Sequence, residues 1–445
     1  MRLLKFIRNF LRRFRRPSAD VATRPLAENA AGVVGSNSGT GLGSMPDQRR
    51  NCDVSTPGAI SAREQLNAGS NVGNCPYCSG KNFIKSGKRI KKYETQQRYF
   101  CNDCKRFFVP QLVKGKSFPL KVILDGLSFY NSGYTLVESC KFLKENYGME
   151  VQDSTLAEWV KEFEPLCRYS RLRPYALKLY SPHQVIQTAH LYHHQVYDFS
   201  VHRGKLALLL QEYKYGKFDN LREFLEAIQS ECPHQFFKEG LRASELKVDF
   251  SLNEVIIREK QNFATRLAKL LLQAVSDNKL RHRSLQDFML RNDSVTVAVE
   301  VPVYIDNMDI EHMQEELKFK IPVKLDKVLT GHIDILQLRN GAVHILDYKP
   351  QDKDKRRLKP VTQLTLYALM LSRLTGLRLY DFKCAWFDEN SYFEFFPLHV
   401  VYKLRQRAKK ESPDQMKFTL PILQPEVSEQ SPHEEEGQNV IQTQL

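Results

Sequence analysis

The sequence predicts an α/β chain whose C-terminal half is a mixed sheet flanked by helices. A small cysteine-bearing ribbon and three short helices precede it. Three observations predict this. Two β-rich runs meet at Asn340-Gly341, the strongest short signal for a two-residue hairpin turn. An amphipathic helix follows, Pro360–Gly376, with Leu366, Met370 and Leu374 recurring at helical spacing. Far upstream, Cys75-Pro-Tyr-Cys78 is followed after 22 residues by Cys101-Asn-Asp-Cys104.

Composition sets the frame. A chain of 445 residues with 42% hydrophobic content has room for two or three domains and a sizeable core. The net charge of +15 and pI near 9.3 favour an acidic partner, nucleic acid or an anionic surface. No apolar run approaches the length of a membrane-spanning helix. Four of the nine cysteines fall in a metal-type pattern and five are scattered, which favours a reducing compartment.

Residues 1–16 carry seven Lys/Arg and no acid, with Leu3, Ile7, Phe10 and Phe14 at helical spacing. A solvated terminus, a nucleic-acid arm, a membrane-surface helix and a transit peptide all stay open. Residues 17–73 hold no Phe, Trp or Tyr and read as a disordered linker. The ribbon is expected over 74–116: each C-x2-C knuckle offers two thiolates, and two knuckles complete a closed tetrahedral Zn²⁺ site at Cys75, Cys78, Cys101 and Cys104. Eleven Lys/Arg between Lys81 and Lys116, interleaved with aromatics, suit a nucleic-acid surface. Over 117–167, the helix from Leu120, the capping box Thr135-Leu-Val-Glu138 and a third helix around Leu156, Trp159 and Phe163 fit a helix-turn-helix. Glu158, Glu162 and Glu164 on that third helix oppose phosphate contact. Residues 168–250 read as a helical connecting region whose histidines, His193-His194 included, serve packing or the surface.

The catalytic module is expected over 251–405, opening with a long helix at Asn253–Val275. In the strand from Val295, residues Val295, Val297, Val299, Val301 and Val303 point one way, and Thr296, Ala298 and Glu300 the other. If Asn340-Gly341 is a two-residue turn, Arg339 faces Ala342, Asp334 faces Asp347 and His332 faces Lys349. Two carboxylates with Cβ atoms roughly 5 Å apart repel unless a cation lies between them. Their hard oxygens suit Mg²⁺ or Mn²⁺. Strands at Tyr380–Phe387 and Tyr392–Phe396 complete the sheet. Residues 406–445 form an acidic tail, expected to be disordered.

Together, Gly331-x-Ile-Asp334, Asp347-Tyr-Lys349 and Gln363-x-x-x-Tyr367 resemble the RecB-type branch of the PD-(D/E)xK nuclease superfamily, over roughly Asn253 to Val400. The resemblance implies a restriction-endonuclease-like sheet with Asp334 and Asp347 on the metal, Lys349 as the catalytic cation, and Gln363 and Tyr367 orienting substrate. It implies a third acid, for which Glu300 is preferred to Glu254 and Glu259, and an upstream metal-binding His that no residue matches cleanly. Some relatives hold an iron–sulfur cluster; with only Cys232 and Cys384 nearby, none is expected here. The run CPYC…RYFCNDCKRFF, then SGYTLVES and STLAEWVKEF, resembles the DNA-binding end of insertion-sequence transposases. The expectation is a Mg²⁺-dependent deoxyribonuclease acting on DNA in a prokaryotic cytoplasm. A homodimer, and organellar targeting or a membrane contact through residues 1–16, stay open. The alternatives are a mobile-element DNA-binding protein that keeps a nuclease fold without catalysis, and a transposase of unconventional chemistry.

Overall fold

The computed structural model describes residues 74–402, apart from Glu94, 110–115, 214–215, Ser251, 253–254, Ser276 and 351–357. The readings of residues 1–73, of the acidic tail, of Glu254 and of most of the basic loop after Lys349 lie outside the described residues.

Strands β1 (Phe83–Ile90), β2 (Thr95–Cys101) and β3 (Phe107–Phe108) form an antiparallel ribbon. Its core is Cys75, Cys101 and Phe108 with Phe83 and Tyr99 packed beside them. Such a core is too small to hold a fold without a crosslink. Tyr93 stacks on Phe118 at 4.8 Å and ties the ribbon to the next helices.

Helices α1 (Leu120–Asn131), α2 (Leu136–Tyr147) and α3 (Asp153–Phe163) follow. The capping box forms as its spacing predicts: Glu138 N–H donates to Thr135 Oγ1, and Thr135 N–H to the Glu138 carboxylate. Gly148 ends α2 in the left-handed region. The apolar faces of these helices do not close on one another alone. Leu143, Leu156 and Trp159 share a core with later helices and with one face of the large sheet.

The segment 168–250 departs from its helical reading. Strands β4 (Ile186–His193) and β5 (Gln195–His202) pair as a tight hairpin and add to the large sheet. Polar His, Gln and Tyr at alternate positions hide the period. Helices α4 (Arg203–Gln211), α5 (Asp219–Glu231) and α6 (His234–Glu239) then cover one face.

The expected opening helix at 253–275 is also shorter than its pattern. Strand β6 (Leu241–Arg242) adds in parallel beside Leu329–Thr330, and β7 (Arg258–Glu259) pairs with the last strand at the far sheet edge. Asn262 caps a helix that runs only over α7 (Phe263–Leu271), its side chain accepting from Ala264 N–H. The helix that leads into the next strand is α8 (Asn278–Asn292). After it come β8 (Thr296–Ile305), α9 (Asn307–Glu315), β9 (Leu329–Arg339), β10 (Ala342–Tyr348), α10 (Leu358–Thr375), β11 (Phe382–Phe387) and β12 (Tyr392–Phe395).

The sheet order is β4-β5-β8-β9-β10-β11-β12-β7, with β6 beside β9. β10 and β11 run parallel; the path from β4 to β10 is antiparallel. Every residue of β10 is buried, so this strand reads as an unbroken apolar run around His344 and Asp347. α4, α5, α9 and α10 cover one face; α7, α8 and the three N-terminal helices cover the other.

Candidate metal centre

The hairpin register follows from its turn. Asn340 and Gly341 both take positive φ, 51° and 70°, the demand of a two-residue turn with right-handed strand twist. Arg339 pairs with Ala342, and the ladder runs to Ile335–Leu346, which brings Asp334 and Asp347 opposite one another. The two carboxyls lie close enough to shift one another's ionisation. Lys349 Nζ lies 2.8 Å from Asp347 Oδ2. The β9–β10 ladder ends at Ile335–Leu346, so no His332–Lys349 pair forms: His332 pairs with Pro302 on β8, and Lys349 N–H donates to the Phe387 carbonyl.

β8 departs from strict alternation, and this aims the third acid. Glu300 takes φ 52°, a left-handed conformation rare for a side chain with a Cβ. Val299 joins the core on one face, and Val297, Val301 and Val303 the core on the other, so the expectation that all five valines point one way fails between a register shift at Thr296–Ala298 and Glu300. Strain of this kind persists where neighbours over-determine it; here Gln286 of α8 donates to Glu300 Oε1 at 2.7 Å.

α8 supplies what the sequence reading lacked. His282 Nε2 lies 2.8 Å from Asp334 Oδ2, and donor atoms of His282, Glu300 and Asp334 fall within 4.8 Å of one another. His282 and Gln286 stand one turn apart on the same side of α8. The flanking Arg281 and Arg283 make that turn read as solvated charge, so only this one-turn pair could have flagged it. Glu259 lies in β7 at the sheet edge and takes no part.

From the other face, α10 brings Gln363 and Tyr367 to the same pocket. Gln363 Nε2 donates to Tyr367 Oη at 3.0 Å. The Tyr367 ring lies so close to Gly331 that a Cβ there would meet Cε1 at 2.3 Å, which is why glycine opens Gly331-x-Ile-Asp334. Gly331→Ala should therefore displace the ring and cost about 1–3 kcal/mol. A urea melt checks the cost, and an unchanged midpoint would refute the close approach.

The electrostatics describe a site short of positive charge. Burial, then the Asp334 charge, pushes Glu300 up to about 7. Burial and Asp334 likewise hold Asp347 well above the carboxylate range. Burial would raise Asp334 too, but the His282 imidazolium holds it low. Burial opposes charge on His282, yet the three acids carry it up to about 9. Raised carboxyls and an imidazolium gathered in one pocket make a place where a cation would be stabilised.

The four ribbon cysteines make a separate cluster. Cys75 and Cys104 sulfurs are 3.7 Å apart and those of Cys78 and Cys101 3.5 Å apart. A tetrahedron with zinc–sulfur bonds near 2.3 Å has edges of about 3.8 Å, so the thiolates fit that ion. Ser79 and Lys105, each just after a knuckle, both take positive φ. Cys101→Ser should release about one zinc per chain and unfold β1–β3. Elemental analysis with circular dichroism measures both; an iron–sulfur absorbance in the wild type would overturn the zinc assignment.

Comparison with known proteins agrees with the C-terminal geometry. No curated protein and no solved structure matches the chain. The family model described as PD-(D/E)XK nuclease superfamily matches residues 225–438, a little under half of the chain, and so supports a nuclease domain in the C-terminal half.

Proposed function

We propose that the chain is a metal-dependent deoxyribonuclease, a phosphodiester hydrolase whose Mg²⁺ or Mn²⁺ is held by Asp334, Asp347, Glu300 and His282. The observation that carries this reading is the facing of buried Asp347 and half-buried Asp334, with Lys349 Nζ 2.8 Å from Asp347 Oδ2. A bound divalent cation would supply an acidified water and a counter-charge for the scissile phosphate.

The side chains do the rest. Lys349 is partly exposed while its partner Asp347 is buried, so its ammonium spans from the acids to solvent. There it can hold a water or a phosphate oxygen where charge develops. Glu300 and Asp347, whose carboxyls are held up by burial and by Asp334, would ionise more readily beside a bound cation. Gln363 and Tyr367 fix the opposite wall and orient the strand being cut. Incubating the purified full chain with labelled linear and circular DNA, in Mg²⁺ or EDTA, tests the proposal. Cleavage in Mg²⁺ alone supports it; no metal-dependent cleavage of any DNA form leaves the binding-only alternative.

DNA delivery falls to the ribbon. Lys81, Lys85, Lys88, Arg89, Lys92 and Arg98 are all exposed there. Phe83, Tyr99 and Phe108 are spent on the ribbon core, whereas Phe107 is exposed beneath the Arg98 guanidinium at 4.7 Å. The exposed side of α3 carries Asp153, Glu158 and Glu162 against Lys161, which disfavours α3 as a groove-reading helix. Reversing Lys88, Arg89, Lys91 and Lys92 to Glu should remove most of the DNA affinity. The salt slope should fall by about 0.9 for each DNA phosphate that the variant no longer neutralises. Fluorescence anisotropy at several salt concentrations reads both; unchanged affinity would move DNA binding to residues 1–16.

A further inference from the structure

We propose a second metal site, built from His193, Cys232 and His234, that takes Zn²⁺ rather than Mg²⁺. The three donors come from different elements: His193 ends β4, Cys232 follows α5, and His234 opens α6. Their ligand atoms lie within 4.8 Å of one another. His193 Nε2 is 2.9 Å from His234 Nδ1 and 3.9 Å from Cys232 Sγ. A tetrahedral zinc with bonds of about 2.0–2.3 Å has ligand edges of roughly 3.3–3.6 Å. The observed distances bracket those edges, so small side-chain rotations would admit the ion.

The central ligand is held as metal-binding imidazoles are held. His193 is buried and lies flat on the Phe237 ring, 4.1 Å away at 8°. Its second nitrogen, Nδ1, meets His332 Nε2 at 2.9 Å. His332 is itself stacked on Tyr197 at 3.6 Å. A second-nitrogen partner of this kind fixes the ring and its tautomer. His332, which the hairpin register misplaced, thus acts as a positioning residue. Imidazole and thiolate donors favour zinc, whereas the carboxylates around Asp334 favour magnesium, so the two sites differ in preferred ion.

Three protein ligands leave zinc a fourth position for water or a phosphate oxygen. The bound ion would staple β4 to the α5–α6 connection and, through His332, to β9 two residues before Asp334. One wall of the nuclease pocket would then be crosslinked. This proposal stands apart from the zinc assignment of the ribbon and from catalysis.

The test counts zinc in full-length protein kept in excess Mg²⁺, for the wild type, Cys232→Ser and His234→Ala. Cys232 is only partly buried and His234 is exposed, so both variants should fold. The wild type should hold one zinc more than either variant, whatever the ribbon contributes. Co²⁺ substitution supplies a second readout: Cys232→Ser should remove a single-thiolate charge-transfer component and leave that of the four ribbon cysteines. His234→Cys should restore the missing equivalent. Equal zinc in the wild type and both variants, or a cobalt spectrum unchanged by Cys232→Ser, would overturn the site.

Discussion

Asp347→Asn should yield a protein that does not cut DNA yet resists unfolding better than the wild type when metal is absent. Asp347 is buried, and burial with the neighbouring Asp334 charge holds its pKa well above the usual carboxylate value. A raised folded-state pKa means that the folded chain gives up this proton less readily than the unfolded chain does. The residue therefore opposes folding, and this cost fades only below the unfolded pKa near 3.8. An amide of the same shape removes the cost. It also removes a hard anionic ligand, so cleavage should fall to background. Asp334→Asn should abolish cleavage too and release His282 from its ion pair. Lys349→Ala should keep metal binding and lower the rate by about 10²–10³-fold. Thermal melts with and without Mg²⁺, beside a cleavage assay, separate these outcomes. The wild type should gain stability on adding Mg²⁺, and Asp347→Asn should start higher and gain little. An Asp347→Asn protein that cleaves near the wild-type rate would end the assignment.

The same residues mark what a sequence can and cannot tell. The hairpin was legible because its signals are local: Asn340-Gly341 fixes the turn, and the turn fixes every pair up to the two aspartates. Gln363 and Tyr367 were legible because a strong 3.6-residue period carries them. His282 was not, because its helix is strongly basic and its apolar stripe is weak, so tertiary packing decides its place. The aim of Glu300 was equally hidden. Alternation predicts a face only in a regular strand, and β8 carries a register shift at Thr296–Ala298 as well as Glu300 at positive φ. The β4–β5 hairpin escaped because its alternate positions are His, Gln and Tyr, which half-bury without reading as apolar. In each case the local rule gave way where the site needed a particular geometry.

Lys205→Met should destabilise the fold by about 3–5 kcal/mol, with a deficit that changes with pH in a defined direction. Lys205 is fully buried, and its Nζ donates to the carbonyls of Leu290 at 2.6 Å and Thr296 at 3.2 Å. It also pairs with Asp293 Oδ1 at 3.4 Å. These bonds satisfy a carbonyl left open at the end of α8 and clamp that end to the start of β8. They thereby set the spacing of the two elements that carry His282 and Glu300. Methionine keeps the length and leaves the carbonyls and Asp293 without their cation. Burial, opposed by Asp293, lowers the Lys205 pKa from 10.5 to about 8. Below about pH 8 the lysine is charged in both states and the deficit of the variant is constant. Between about 8 and 10.5 the unfolded chain binds the proton that the folded chain has released. Wild-type stability therefore gains with rising pH through this group, up to about 3 kcal/mol. The variant lacks that gain, so its deficit should widen from pH 8 to pH 10. Urea unfolding at pH 7, 8 and 10 measures it. A deficit that stays flat or narrows over this range would mean that Lys205 keeps its proton and that the clamp acts by shape alone.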